Sequence, residues 1–326
     1  MKLLKIIMIK KQMILMFSLF LAISDLVIAN NTNIRKETIL KGRYGSAHGM
    51  VGYYSDYSSW LLPTAIVIDS KENIYIADVV NDRIQKFDKN GKFSSEIKFI
   101  VKKKRVGGTI NDLAIDSFDN LYVASRHELR IDKYSSDGVF LQSINLDDKD
   151  ICWDEKNTWY RCSIQIESID IDVMGNIYLK GWREIIKFNS NGKIEKKWAP
   201  ISYGRTSVLD EKGNLYLLKS GNIIEKYDQE ARLVDSGKCG KLYSWFEDGH
   251  CFLPKFIDRS GFLYRFEKNG TVIVKMNRQG KQYGVYNIPD LPPVDIDGNN
   301  IKFDANGNLY ILYFKDGFWI EKISWD

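Results

Sequence analysis

The chain has few of the residues, and none of the local motifs, on which familiar enzymes rely. Its 326 residues include only three histidines and four cysteines. The phosphate-binding pattern Gly-x-x-x-x-Gly-Lys and the zinc-protease pattern His-Glu-x-x-His are absent, and no spacing suggests a Ser-His-Asp triad. A site assembled from distant loops would leave no such local trace. The absences therefore argue against a familiar enzyme class and leave catalysis itself open.

Long apolar runs are also scarce, and the clearest one is N-terminal. Within residues 1–29, four lysines precede an apolar run from Met13 to Ile23, and small residues near Ala29 offer a cleavage site. This pattern predicts a secretory signal peptide. The mature chain, 30–326, is then expected to be secreted or periplasmic, with no stable membrane insertion. An uncleaved anchor is the alternative, although the run is short for a full span and Asp25 interrupts it.

Excess charge of one sign is mostly confined to that leader. The net charge is +5, of which the leader contributes +3, so the mature chain carries about +2. The run from Lys102 to Arg105 is the one local basic cluster, and we interpret it as a solvated loop because the charge elsewhere is balanced. We therefore expect no nucleic-acid partner.

One short pattern recurs six times after the leader: Asp, a turn, Asn, Ile or Leu, then Tyr. The copies are Asp69…Asn73-Ile74-Tyr75, Asp116…Asn120-Leu121-Tyr122, Asp172…Asn176-Ile177-Tyr178, Asp210…Asn214-Leu215-Tyr216, Asp258…Phe262-Leu263-Tyr264 and Asp304…Asn308-Leu309-Tyr310. Each lies among short β-branched or alternating runs that predict four strands. Spacings of 38 to 56 residues between the aspartates indicate propeller blades.

The prediction is an all-β, six-bladed β-propeller of four-stranded antiparallel blades in a single domain. The blades are predicted to begin near residues 62, 110, 166, 205, 252 and 298. The last blade reaches only a third strand, from Phe318 to Ile323. We expect the segment from Lys36 to Leu40 to supply its fourth strand, because this N-terminal strand would close the ring and leave no open edge.

The stretch from Leu62 to Phe93 resembles an NHL repeat. The resemblance rests on Ile74-Tyr75-Ile76-Ala77-Asp78 and on Asn81-Asp82-Arg83-Ile84-Gln85-Lys86-Phe87. It is strong in the first blade and fades toward the last two. It implies a six-bladed propeller, which agrees with the count of repeats. The NHL family includes sensors, scaffolds and some enzymes, so the resemblance constrains function little.

The six repeated aspartates are not expected to form a catalytic site. Calcium lactonases, another propeller class, need Asp, Asn and Glu ligands at the ring centre. A residue that recurs in every blade is better explained by the turn that it caps. We expect no cofactor, with zinc or calcium as the alternatives.

The four cysteines fall into two local pairs, and an even number in an exported chain suggests disulfides. The simplest of the three pairings joins Cys152 to Cys162 and Cys239 to Cys251. Reduced core thiols are one alternative. A zinc site is another, although the chain has no Cys-x-x-Cys pair. Both local pairs would staple connections between blades, on one face of the ring.

The same connections are rich in aromatic residues, which predicts a binding face for a protein, peptide or carbohydrate. The expected contacts are Tyr53, Tyr54, Trp60, Trp153, Trp159, Tyr160 and Trp245, with Arg126, Arg161 and Arg183 as polar anchors. The alternative is that these rings plug gaps between blades. We expect a monomeric binding module and lean away from an enzyme.

The rival hypothesis is a metal-dependent lyase or hydrolase. His48, His127 and His250 all fall on the connections assigned to one face, and three imidazoles with an open position can hold a catalytic zinc. Such a site would resemble the lyase of C-terminally amidated peptides, a six-bladed relative with zinc near its axis. The local motifs of that lyase have no match around these histidines. Three surface histidines are the simpler interpretation.

Overall fold

Each repeat is organised by a turn that its aspartate builds. In the first blade, Asp69 Oδ1 accepts hydrogen bonds from the backbone nitrogens of Lys71 and Asn73, at 2.9 and 2.8 Å. The Asn73 side chain donates to Asp69 Oδ2 at 2.7 Å. Asp116, Asp172, Asp210 and Asp304 make the same three contacts within their own turns. A side chain that satisfies its own turn in this way reverses the chain locally.

The fifth copy, which has Phe262 in place of Asn, forms the same turn with a different set of contacts. Asp258 still accepts from the Phe262 backbone nitrogen at 2.9 Å. The second carboxylate oxygen takes the Tyr264 hydroxyl at 2.8 Å, against 3.2 to 3.4 Å for the Tyr–Asp bond in the first four blades. The Phe262 ring packs edge-on against Tyr283. The aspartate therefore keeps its turn without the amide.

The structure is a computed structural model. The described residues are 34–55, 60–101, 109–146, 166–181, 184–198, 207–210, 212–219, 223–238, 246–247, 250–251, 256–258, 261–267, 272–277, 282–288, 299–314 and 316–325. They form 28 β-strands and no helix. None of them belongs to a helix that is long and apolar enough to cross a membrane.

Six four-stranded antiparallel sheets form the blades, as predicted. Blade 1 contains β4 (Ile66–Ile68), β5 (Ile74–Asp78), β6 (Arg83–Phe87) and β7 (Phe93–Lys98). Blade 2 contains β8 (Asp112–Ile115), β9 (Leu121–Ser125), β10 (Arg130–Tyr134) and β11 (Phe140–Asn145). Blade 3 contains β12 (Ser168–Ile171), β13 (Ile177–Lys180), β14 (Ile185–Phe188) and β15 (Ile194–Trp198).

The second half of the ring repeats this order. Blade 4 contains β16 (Ser207–Leu209), β17 (Leu215–Lys219), β18 (Ile223–Tyr227) and β19 (Leu233–Lys238). Blade 5 contains β22 (Phe256–Ile257), β23 (Leu263–Glu267), β24 (Val272–Met276) and β25 (Gln282–Asn287). Blade 6 contains β26 (Ile301–Phe303), β27 (Leu309–Phe314), β28 (Phe318–Trp325) and the N-terminal β1 (Ile34–Gly42). Two short hairpins lie in connections: β2 (Tyr54–Ser55) with β3 (Trp60–Leu61), and β20 (Phe246–Glu247) with β21 (His250–Cys251).

The N-terminal strand closes the ring. β1 pairs antiparallel with β28 from Ile34 opposite Trp325 to Gly42 opposite Phe318. Leu40 is buried in the cluster that joins blades 6 and 1. The predicted closing segment therefore occupies the fourth position of blade 6, and it is longer than the five residues expected.

A tyrosine and a lysine accompany the aspartate in every blade. The tyrosine of the second strand lies opposite a lysine of the third strand. The pairs are Tyr75–Lys86, Tyr122–Lys133, Tyr178–Lys187, Tyr216–Lys226, Tyr264–Lys275 and Tyr310–Lys322. Each ammonium lies 4.9 to 6.0 Å from its ring centroid. This cation–π stack lets the lysine stem cover the buried tyrosine, and in blades 1 to 5 the turn aspartate accepts a hydrogen bond from the tyrosine hydroxyl. Repetition in all blades marks the trio as structural.

The ring has two faces with different contents. The turn face carries the turns between first and second strands and between third and fourth strands. The link face carries the turns between second and third strands and the connections between blades. Apolar side chains of neighbouring sheets fill the gaps between blades, so every blade buries both sides.

Candidate functional site

The first strands of the blades surround the axis of the ring, because those of neighbouring blades lie next to each other. Ile66 of blade 1 donates its backbone N–H to the Asn299 carbonyl of blade 6 at 3.2 Å. The Thr64 hydroxyl donates to the Ile110 carbonyl of blade 2 at 3.1 Å. A site that faces the axis must therefore be built from these strands and from the residues just before them.

Three axial residues depart from the repeat. Asp170 and Lys302 lie two residues before the turn aspartates of blades 3 and 6, where blades 1 and 2 have Val67 and Ala114. Asp112 lies four residues before its turn aspartate, where blade 1 has Ala65 and blade 3 has Ser168. If a residue common to all blades supports the fold, a charged residue found at such a position in only one or two blades needs a different reason. These departures point to a site.

Asp112 is the centre of this group. It is fully buried. Its Oδ1 accepts from the Leu113 backbone nitrogen at 2.8 Å, and its Oδ2 accepts from the Ile169 backbone nitrogen of blade 3 at 3.0 Å. The Lys302 ammonium of blade 6 lies 3.5 Å from Oδ1. Burial raises the pKa of Asp112 above its ordinary value, and Lys302 opposes that rise.

The neighbouring polar groups extend the site toward the link face. Asp170 pairs with Lys180 at 2.5 Å. The Asn299 side-chain amide donates to the Glu167 carbonyl at 3.0 Å and to the Asn111 carbonyl at 3.4 Å. We name Asn111, Asp112, Glu167, Asp170, Asn299 and Lys302 the axial cluster. It joins blades 2, 3 and 6 around the axis, where connections enter the first strands.

The axial cluster offers both signs of charge to a ligand. The Lys302 side chain is 23% exposed and that of Asp170 is 36% exposed, whereas the Asp112 side chain is fully buried. A partly desolvated ammonium can bind a carbonyl or carboxylate, and the carboxylate can accept from hydroxyl or amide donors. In the described part of the chain, no group of three or more His, Cys, Asp or Glu side chains is arranged to hold a metal ion.

One predicted anchor reaches this cluster. Arg126 lies in the turn between β9 and β10, and its backbone nitrogen donates to Asn111 Oδ1 at 2.6 Å. Tyr53 and Tyr54 lie in the connection between β1 and β4, with 41% and 38% of their surface exposed. The Tyr53 ring stacks on Tyr44 at 4.8 Å between centroids. Trp60 begins β3, and its side chain lies outside the described set. Trp153, Trp159, Tyr160, Arg161, Arg183 and Trp245 also lie outside the described residues.

The predicted zinc ligands and disulfides are only partly described. The His48 ring stacks on Phe93 at 4.8 Å, and its Nε2 lies 3.6 Å from Glu96 Oε2, on the outermost strand of blade 1. His127 lies in the same link-face turn as Arg126. His250 and Cys251 lie in β21, described for the backbone alone. Cys152, Cys162 and Cys239 lie outside the described residues. The zinc site and the disulfides stay predictions.

Arg83 fixes the connection that carries Tyr53 and Tyr54. Its guanidinium donates to Asp78 at 2.8 Å, to Glu96 at 2.9 Å and to the carbonyls of Ala47 and Met50 at 2.9 Å each. Asp78 also accepts from the Gly52 backbone nitrogen at 2.7 Å. Two buried charged groups, Arg83 and Asp78, therefore hold residues 47 to 52 against blade 1. Asp78 and Arg83 belong to the stretch that resembles an NHL repeat, but the sequence pattern predicts no role for them.

The axial cluster could have been found from the sequence. Aligning the six first strands on their turn aspartates shows Asp112, Asp170 and Lys302 as the charged exceptions at their positions. The repeat consists of what the blades share, so residues that differ between blades form no part of it.

Comparison with solved structures gives likenesses of fold. A streptogramin B lyase is 14% identical with a TM-score of 0.52, over 90% of this chain and 98% of the lyase. Virginiamycin B lyase from Staphylococcus aureus is 13% identical with a TM-score of 0.50, over 90% of this chain and 99% of the lyase. A catalytically inactive variant of that enzyme, solved with quinupristin, gives 14% and 0.51 over 90% and 99%. At such identities the likeness shows the fold alone. No protein-family model matches the chain, and no curated protein does.

Proposed function

We propose that the chain is an exported, NHL-like propeller that binds a protein, peptide or carbohydrate on its link face. The observation that carries this proposal is the axial cluster, in which Asp112, Asp170 and Lys302 occupy axial positions that are apolar or uncharged in the other described blades. The exposed rings of Tyr53 and Tyr54 supply apolar contact on the same face.

The tyrosine rings and the axial cluster of the link face can contact different parts of one ligand. Tyrosine rings bury large areas with little loss of side-chain freedom, so they suit the sugar faces or side chains of a ligand. Lys302 and Asp170 would orient a polar group that enters the axis. The buried contacts of Arg83 keep the connection that carries Tyr53 in place before the ligand arrives, which reduces the ordering cost of binding.

The test begins with an oligosaccharide array and a phage-displayed peptide library, both screened with the purified full chain. Asp170→Asn and Tyr53→Ser should each weaken a selected ligand by roughly tenfold, about 1.4 kcal/mol of binding free energy. The control is Lys193→Met, an exposed lysine of the turn face. If both screens select nothing, or if the link-face variants bind as well as the control, the proposal is wrong.

A second candidate is the metal-dependent lyase or hydrolase that uses His48, His127 and His250. It is favoured by the place of His127, in the turn whose Arg126 nitrogen bonds to Asn111 of the axial cluster. About one zinc per purified chain, lost in His127→Ala, would support it. A chain that carries no stoichiometric zinc when purified in its presence would reject this metal site and leave the binding proposal standing.

A further inference from the structure

The turns between first and second strands carry exposed apolar side chains in two neighbouring blades. Phe118 of blade 2 is 80% exposed, and Met174 and Val173 of blade 3 are 64% and 48% exposed. Phe118 and Met174 occupy the position of their turns that holds Lys71, Lys212 and Asn306 in blades 1, 4 and 6. The apolar residues are therefore departures from the repeat, like the polar residues of the axial cluster.

These side chains are held outward by a fixed backbone. The backbone nitrogen of Phe118 donates to Asp116 at 3.0 Å, and that of Met174 donates to Asp172 at 2.9 Å. The turn of blade 2 is also fixed to its neighbour, because Asp119 accepts from the Ser70 nitrogen at 2.8 Å. Rigid turns present their tips without a further ordering cost on binding.

The third-to-fourth-strand turn of blade 2 adds to the same region. Val139 is 61% exposed and Phe140 is 55% exposed. The Phe140 ring packs edge-on against Tyr134 and so stands at a defined angle. Leu233 and Val234 of blade 4 and Tyr283 of blade 5 are also exposed beside the third-to-fourth-strand turns of their blades. Exposed apolar side chains that recur around one face indicate an interaction site.

The charges around these tips are mainly positive. The exposed cations of the described turn-face turns are Lys71, Lys89, Lys92, Lys193 and Lys212, and Asp137 is an exposed acid there. The exposed Arg232 and Glu230 pair with each other at 2.9 Å. Most other acidic groups there are bonded within the fold. Asp88 accepts two backbone N–H groups of its own turn, and Glu72 pairs with Lys322 at 2.6 Å.

We propose that the turn face docks onto an anionic lipid bilayer, with Phe118 and Met174 entering the interface and the surrounding lysines contacting the headgroups. Separate apolar tips on rigid turns, ringed by cations, suit a fluid interface that closes around each tip. A protein partner would instead require a contiguous and complementary patch. The contact is peripheral and reversible, and it is distinct from the ligand face proposed above.

Hydroxyl-radical footprinting tests this on the full chain, because it reads the tips themselves whatever the N-terminal segment does. Vesicles of phosphatidylcholine and phosphatidylserine should lower oxidation of Met174 and Phe118 several-fold. Vesicles of phosphatidylcholine alone should not. Ile100, 78% exposed in the connection that follows blade 1, is the internal control and should oxidise equally in both.

Two variants separate the apolar and electrostatic contributions. Lys89→Glu with Lys92→Glu should abolish the protection of Met174, whereas Lys98→Glu at the link-face end of β7 should leave it unchanged. The proposal is overturned if the tips stay as reactive as in buffer, if Ile100 is protected equally, or if charge reversal has no effect. Protection that rises with protein concentration without lipid would also overturn it and indicate a second copy of the chain. None of these outcomes alters the link-face binding test.

Discussion

Replacement of Arg83 by Met tests whether a buried ion-pair network holds the link face in place. Arg83→Met keeps most of the alkyl stem and removes the charge together with four hydrogen bonds. Arg83 is 6% exposed and Asp78 is fully buried. The variant would therefore leave a buried carboxylate without its cation, and the carbonyls of Ala47 and Met50 without the guanidinium.

The expected cost follows from that burial. Removing one partner of a buried pair costs about 3–5 kcal/mol, because the remaining charge is not compensated. For a domain of this size, such a loss lowers the melting temperature by on the order of 5–8 °C. The matched control is Arg232→Met. Arg232 is 71% exposed in its side chain and pairs with Asp228 at 2.7 Å, so solvent screens the pair and its loss should leave the melting temperature nearly unchanged.

Thermal unfolding of both variants measures the difference, and limited trypsin digestion locates it. Arg43, exposed next to the connection that Arg83 anchors, should be cleaved faster in Arg83→Met than in the wild type or in Arg232→Met. Equal melting temperatures for the two variants would refute the buried-pair reasoning. A large loss of stability with unchanged cleavage at Arg43 would refute the role of Arg83 in holding residues 47 to 52.

Two further predictions test the repeat itself. Gly91 and Gly175 both have a φ near +80°. A Cβ added at Gly91 would lie 2.1 Å from the Ile39 carbonyl oxygen of β1, whereas a Cβ added at Gly175 would have its nearest atom 3.6 Å away. Replacement by alanine should lower the unfolding free energy by about 1–2 kcal/mol at both positions, and by about 1–3 kcal/mol more at Gly91, as measured by urea unfolding. Equal losses at the two positions would contradict the steric argument. Burial raises the pKa of Asp116, but hydrogen bonds led by those from Asn120 outweigh it and lower the pKa below its ordinary 3.8. Asp116 therefore stabilises the fold above pH 3.8 and loses this effect as the pH falls through the lower pKa of the folded state. The difference in unfolding free energy between the wild type and Asp116→Asn should therefore narrow in acid. A difference that stays constant with pH would contradict this.

The fold was predictable because its determinants are local and repeated. Asp69 bonds to Lys71 and Asn73 within its own turn, so a short pattern contains the whole interaction. Six copies of one local interaction then specify six blades. The closing strand was also predictable, since a blade that lacks a fourth strand must take one from elsewhere.

The site was less predictable because its contacts are not local. Asn299 and Asn111 lie 188 residues apart, and their contact exists only once the ring has closed. Asp112 and Lys302 meet for the same reason. Of the predicted contacts, Arg126 joins the axial cluster through its backbone. The chemistry of the guanidinium, on which the prediction rested, plays no part in that hydrogen bond.

The pairing of β1 with β28 also sets the order in which the protein can be completed during translation. At about 5–20 residues per second, the ribosome needs tens of seconds to reach β28 after releasing β1. During that delay the partner edge of β1 does not yet exist, and any other open edge could capture the strand. Arg35, Lys36 and Glu37 stay exposed even after closure, and consecutive charges of this kind disfavour wrong pairing. The charged side chains of β1 therefore act as gatekeepers while the strand waits for its partner.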